Sequence, residues 1–133
     1  MPGLTRRNVI QAGLLGGVFS ASPVRHAWAT RANEEIRLGF IGCGGRSNAL
    51  MAAFSGIDGV VIRGLCDPDH ERLGKANKRF PKAQAWTDLR DLIADKNIDA
   101  VVVATCNHWH CLATIWAMQA GKDVYVEKPL SHS

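Results

Sequence analysis

The chain has 133 residues, 47% of them hydrophobic and 21% charged, a length and balance that suit about one globular domain with its own core. Its formal charge of +4 is concentrated at the amino terminus: Arg6, Arg7 and Arg25 lie in the first 29 residues, which hold no acid, and the remainder sets 13 basic against 12 acidic side chains. That near balance leaves no basic face interleaved with aromatics and argues against nucleic acid as a partner.

In chain order, Thr5-Arg6-Arg7-Asn8-Val9-Ile10 is followed by a Gly-rich apolar run through Val18 and Phe19, then by Pro23 and Ala27-Trp28-Ala29. Charged, apolar and small-residue regions in that order are those of an export signal. The segment resembles a twin-arginine (Tat) signal, with Ile10 where that pattern often has Leu. The resemblance implies passage through the Tat machinery to the bacterial periplasm and cleavage after Ala29, so that residues 1–29 are an address and residues 30–133 the domain. The apolar run from Val9 to Ala21 is shorter than the roughly 20 residues a spanning helix needs, and no stable membrane span is expected.

After a polar lead-in from Thr30 to Glu35, alternating signals predict five strands and four helices. A strand over Ile36–Ile41 turns through glycines into a helix over Asn48–Ser55, with Ala49, Leu50, Ala53 and Phe54 at helical spacing and an end near Gly56. A β-branched strand over Val60–Cys66 leads through Asp67-Pro68 into a helix over Asp69–Phe80, closed by Pro81. A short strand over Ala83–Trp86 precedes a helix over Asp88–Ala94, capped by Thr87. The strand over Ile98–Ala104 is apolar throughout, as a parallel strand covered on both faces should be. Thr105 to His110 connects it to a helix that runs through Ala120 and stops at Gly121, and Asp123–Glu127 is the last strand. The alternation predicts an α/β fold, a Rossmann-type doubly wound parallel sheet.

Ligands of such sheets lie beyond the strand carboxyl ends. The first of these ends, Gly42-Cys43-Gly44-Gly45-Arg46-Ser47, has the form of a dinucleotide-binding turn. One glycine permits the turn, and a second lets a pyrophosphate approach the free N–H groups of the helix N-terminus. Gly42 and Gly44 fit those places, Gly45 and Arg46 complete the turn, and Ser47 stands where Gly or Ala is usual. Asp67 follows Gly42 by 25 residues, close to the position of an acid that accepts hydrogen bonds from the adenosine ribose hydroxyls. A 2′-phosphate there would face a carboxylate, which favours NAD over NADP, although Arg72 lies near in sequence. Asp67 also fits a bland role as an N-cap or turn residue before Pro68.

Cys43, Cys66, Cys106 and Cys111 form no small-scaffold disulfide framework and read as free thiols, mostly buried. Cys106-x-His108-x-His110-Cys111 has ligand-type residues, but consecutive ligands on one turn rarely converge into a tetrahedron and no distant second pair is evident, so no metal is assigned. His108 fits a loop or cap role as well as a cofactor contact, and Trp109 fits packing better than stacking.

Thr105-Cys106-Asn107-His108-Trp109-His110, followed by Ala120-Gly121-Lys122-Asp123-Val124-Tyr125-Val126-Glu127-Lys128-Pro129-Leu130-Ser131, resembles the N-terminal domain of the Gfo/Idh/MocA oxidoreductases, the glucose–fructose oxidoreductase and inositol dehydrogenase relatives. The likeness runs from Ile36 to the end. It implies that Thr105, Asn107 and His110 line the nicotinamide side of an NAD site, with Cys106 in place of the family's proline. It further implies that Glu127, Lys128 and Pro129 border the cofactor, and that Lys128 sits at the carbon that exchanges hydride; as a bare strand-end charge Lys128 would have no such role. Pro129 suits a turn that presents Lys128, including a cis one.

Whole members of the family, commonly homo-oligomers, carry a second α/β domain that binds substrate, and that domain does not occur in these 133 residues. The expectation is therefore the nucleotide-binding portion, incomplete for catalysis by itself, of an exported NAD-dependent oxidoreductase acting on a sugar or polyol. A non-catalytic cofactor-binding module and a redox-neutral NAD-dependent glycosidase are the rival expectations.

Overall fold

The computed structural model describes residues 35–131, so the predicted export signal lies outside the described residues. The elements follow one another as β1 (Ile36–Ile41), α1 (Gly45–Phe54), β2 (Val60–Cys66), α2 (His70–Arg79), β3 (Gln84–Trp86), α3 (Leu89–Ala94), β4 (Ala100–Val103), α4 (Asn107–Gln119) and β5 (Asp123–Val126). All four strand pairings are parallel, in the order β3-β2-β1-β4-β5. This is the doubly wound α/β sheet expected from the alternation.

Parallel strands need crossover connections, and these are right-handed. Moving outward from β1 through β2 to β3 puts α1 and α2 on one face. Returning to β4 and on to β5 puts α3 and α4 on the other. Two buried clusters record the division. Leu38, Phe40, Ile62, Leu65 and Val102 pack with Leu50 and Met51 of α1 and Leu73 and Ala76 of α2. Ile41, Val101 and Val103 pack with Leu92 and Ile93 of α3 and Ala113 and Ala117 of α4. Val101, Val102 and Val103 thus alternate between faces with the strand period of two. Ile62 and Leu65 reach the same face across an odd spacing because the β1–β2 register shifts between Leu38 and Gly39, leaving Arg63 as the extra residue of a bulge.

Among the boundaries that differ from expectation, three have local reasons. The first helix begins at Gly45, not Asn48, and its buried stripe is Ser47, Leu50 and Met51 with Phe54 packed beside them, while Ala49 and Ala53 are exposed. The third helix is capped by Asp88, whose carboxylate accepts from Arg90 N, and not by Thr87. The residues after Cys106 are already helical, so Asn107 to His110 form the first turn of α4 and not a connection.

The far end of α4 closes in a Schellman arrangement: Lys122 N donates to Ala117 O and Gly121 N to Met118 O, with Gly121 at φ +75°. Lys122 is itself buried, and its Nζ donates to Asp95 O at 2.7 Å and Ile98 O at 2.8 Å, tying the start of β5 to the turn before β4. Lys122→Met leaves those carbonyls without their donor, and urea unfolding at pH 7 is expected to show a loss of about 2 kcal/mol. Burial holds the Lys122 pKa below the ordinary lysine value. The unfolded chain therefore binds that proton more tightly, so this group's contribution to stability rises with pH through the window between the lowered and the ordinary value, a slope the variant lacks.

Candidate functional site

Because every strand is parallel, every carboxyl end meets at one edge. The first of these is built on Gly42, whose φ of +96° suits glycine. A Cβ there would lie 2.6 Å from Ala104 O and 2.9 Å from Thr105 Cα, so the end of β4 also requires its absence. Gly42 N donates to Cys66 O at 2.7 Å, which continues the β2 pairing into the turn. Ser47 is fully buried and its Oγ donates to Gly42 O at 2.5 Å. The residue that departs from the usual small third position thus fastens the helix to the turn.

Gly44 is the N-cap of α1, with extended φ of −77° and ψ of −169° that any residue could adopt. Its importance is space: a Cβ on Gly44 or Gly45 would meet nothing within 4 Å. No side chain caps the helix and no acid stands in its first turn, so the first N–H groups, which have no helical acceptors, face open room. That is a cradle for an anionic group such as a pyrophosphate, and the residues fit one.

Asp67, at the end of β2, is buried. Its Oδ2 accepts from Cys43 N at 2.7 Å and its Oδ1 from Asp69 N at 2.9 Å, so one carboxylate binds the glycine turn to the turn before α2. The N-cap of α2 is Asp69, which accepts from Glu71 N and Arg72 N. Arg72 pairs with Asp69 at 3.4 Å. Burial, reinforced by the Asp67 charge, pushes the Cys43 thiol up to about 12. Burial does the same to Cys66, with Cys43 and Asp67 adding to it.

At the β4 end, Cys106 is the N-cap of α4 at φ −68° and ψ 142°. This is the φ that a proline ring enforces, so the cysteine keeps the backbone path of the residue it replaces. Asn107 is exposed in the first turn, and His110 is buried. His110 Nδ1 lies 2.8 Å from Pro129 O and Nε2 3.0 Å from Thr105 O, so its ring spans the β4 and β5 ends. Trp109, partly exposed, tilts against Trp116 with ring centroids 6.3 Å apart. Among the described residues no group of three or more His, Cys, Asp or Glu is arranged to hold a metal.

At the β5 end, Glu127 accepts from Arg46 Nη2 at 2.8 Å, and this hydrogen-bonded partner holds its carboxyl below the usual range. Lys128 is exposed and joined to Pro129 by a cis peptide bond. The predicted residues are thus linked by direct bonds: the glycine turn to Asp67, Arg46 to Glu127, and Thr105 through His110 to Pro129. Asn107 and the Lys128 ammonium lie at the same edge and enter none of these bonds.

A cavity of about 490 Å³ opens at this edge, lined by Gly42, Pro68, Leu89, Arg90, Trp109 and Trp116 among others. The segment Thr87 to Arg90, which lines it, was not among the sequence candidates. Its signal was present, since the short strand before it is parallel to the rest and delivers its carboxyl end to the same place.

An open glycine turn at a helix N-terminus, an acid at the end of the second strand and a cavity beside the switch from β1 to β4 define a dinucleotide-binding domain. Residues 36–133 match the Gfo/Idh/MocA family, an oxidoreductase family with an NAD-binding Rossmann fold, and the chain belongs to that family. A glycosyl hydrolase family 109 protein of Shewanella pealeana is 33% identical over 107 residues, 74% of this chain and 24% of that protein. The chain therefore spans about a quarter of the length of that relative. The WlbA dehydrogenase of Bordetella pertussis, solved with NADH and UDP-GlcNAcA, superposes with a TM-score of 0.70 at 33% identity over 74% of this chain and 30% of its own. The myo-inositol dehydrogenase of Lactobacillus casei, solved with NAD(H) and myo-inositol, gives a TM-score of 0.70 at 28% identity over 73% and 29%.

The four cysteines are free; Cys43 and Cys66 are buried, Cys106 and Cys111 exposed. At pH 8 the two buried thiols remain protonated and shielded. Mass spectrometry after brief iodoacetamide treatment is expected to find Cys106 and Cys111 alkylated, with Cys43 and Cys66 joining them only in denaturant.

Proposed function

We propose that this chain is the nucleotide-binding part of an NAD-dependent enzyme that transfers hydride between nicotinamide and a hydroxyl-bearing carbon of a sugar or polyol. One observation carries the reading: the open cradle at Gly44, the Asp67 carboxylate and Lys128 lie at a single sheet edge. In this reading the N–H groups of Gly45, Arg46 and Ser47 receive the pyrophosphate, and Asp67 receives the adenosine ribose. Thr105 and Asn107 border the nicotinamide. The bound cofactor supplies the hydride acceptor or donor. Lys128, on a flexible stem, hydrogen-bonds the substrate oxygen; as the amine it takes the hydroxyl proton when the alcohol is oxidised, and as the ammonium it returns a proton to the carbonyl oxygen in the reverse direction. Asp67 also supports NAD over NADP, because a 2′-phosphate would meet its charge and the nearby Arg72 is engaged with Asp69.

The family 109 relatives support a second reading, in which NAD is reduced and reoxidised within one catalytic cycle of glycoside cleavage. The two readings part on net NADH. A dehydrogenase accumulates it in step with oxidised sugar, and such a glycosidase leaves none over. Arg6-Arg7 and Ala27-Trp28-Ala29 support export through the Tat machinery to the periplasm, with residues 1–29 as the signal.

Titration with NADH, read by quenching of tryptophan emission with Trp109 and Trp116 in the cavity, is expected to saturate, and NADPH to bind at least about tenfold more weakly. Gly44→Ala is expected to unfold within about 0.5 kcal/mol of the parent while losing NADH affinity, because its Cβ enters only the cradle. Asp67→Asn is expected to narrow the NADH preference. Absence of NADH binding by the parent chain would overturn the proposal, and equal binding of the two nucleotides would overturn the NAD preference alone.

A further inference from the structure

The geometry points to His110 as a positioning residue, one that holds the Thr105 connection and the Lys128–Pro129 segment in register without touching cofactor or substrate. Its function, though not its geometry, rests on the cofactor reading above. His110 is 2% exposed, too deep to present its ring to a ligand, and both ring nitrogens are taken up within the fold. One faces Pro129 O at 2.8 Å, the other Thr105 O at 3.0 Å. Those carbonyls belong to two chain segments that leave adjacent parallel strands, and β4 and β5 pair only as far as Val103 and Val126. Beyond that limit one further ladder bond remains, from Glu127 N to Val103 O, after which Thr105 and Pro129 are joined through the imidazole.

Carbonyl oxygens only accept, so each contact is a hydrogen bond when the ring nitrogen that faces it carries a proton. The charged groups on the segments it joins are Glu127, already paired with Arg46, and the exposed Lys128. A buried ring held between carbonyls of the two segments fixes the backbone from which Lys128 projects.

Two measurements test this. In the chain labelled with 15N-histidine, 1H–15N spectra at pH 7, with His110 assigned by its loss in His110→Gln, are expected to show a ring N–H protected from exchange with water. A His110 ring N–H that exchanges freely would overturn the clamp. His110→Phe keeps ring volume and removes both ring nitrogens, and its NADH dissociation constant is expected to rise about tenfold. Unchanged affinity in folded His110→Phe would also overturn the positioning role, since space-filling alone would then suffice. If that variant does not fold, the spectrum of the parent chain decides. If the parent chain binds no NADH, the cofactor reading fails while the spectrum still decides whether the His110 ring is hydrogen-bonded within the fold.

Discussion

A single buried carboxylate sets the arrangement of the site. Asp67 receives Cys43 N on one oxygen and Asp69 N on the other, so the turn after β1 and the turn after β2 share one anion. A carboxylate out of water is costly unless N–H donors surround it, and here the backbone supplies them. The consequence is geometric. The three glycines of the turn have no side chains with which to hold its shape, and Asp67 holds it from the neighbouring strand. Ser47 Oγ on Gly42 O and Gly42 N on Cys66 O complete the fastening. The turn is rigid because its polar groups on the inner side are all used.

On the outer side they are not. The N-terminus of α1 is uncapped, has no acid in its first turn, and opens onto room that a side chain at Gly44 or Gly45 would occupy. Most helices spend these donors on a capping side chain. Leaving them open costs stability unless an anion takes them, and holding them rigid in advance lowers the ordering cost of that anion's binding. In the proposed reading the same carboxylate that builds the turn also receives the ribose of a dinucleotide, so the structural and recognition roles of Asp67 coincide. With backbone N–H groups on both oxygens, the carboxylate stays oriented. In that orientation it can accept from ribose hydroxyls and oppose a phosphate.

The sheet was legible in the sequence because its signals are local and redundant. Val60–Cys66 and Ala100–Val103 are β-branched or apolar runs too short for helices, and the glycine turn names the order in which strand gives way to helix. What escaped was set by tertiary contacts. The spacing of Ala49, Leu50, Ala53 and Phe54 looked like an apolar face, yet the buried stripe is turned toward Ser47 and Met51, because a serine whose hydroxyl has an internal acceptor can be buried. Thr87 and Asp88 are both good caps, and only the path of the chain decides between them. The cofactor-side place of His110 came from the family resemblance. Its burial against a carbonyl 19 residues away is something no local pattern records. The cavity wall at Thr87 to Arg90 follows from parallel topology alone, and was missed because β3 is only three residues long.

The links across the site differ in kind, and the difference bears on how Lys128 is presented. Arg46 and Glu127 meet where the arginine side chain is 63% exposed, so water and salt screen the pair and its geometry can relax when an anion approaches the helix N-terminus. The contacts of His110 are buried and made to backbone, so they resist the same perturbation. One link is therefore responsive and the other fixed. The guanidinium of Arg46 can turn toward a pyrophosphate, at the cost of its hold on Glu127, while the carbonyl of Pro129 stays where His110 keeps it. Lys128 lies between the residue that can be released and the residue that cannot. Cofactor arrival would thus alter the charge beside the lysine, through Glu127, without moving the backbone that carries it.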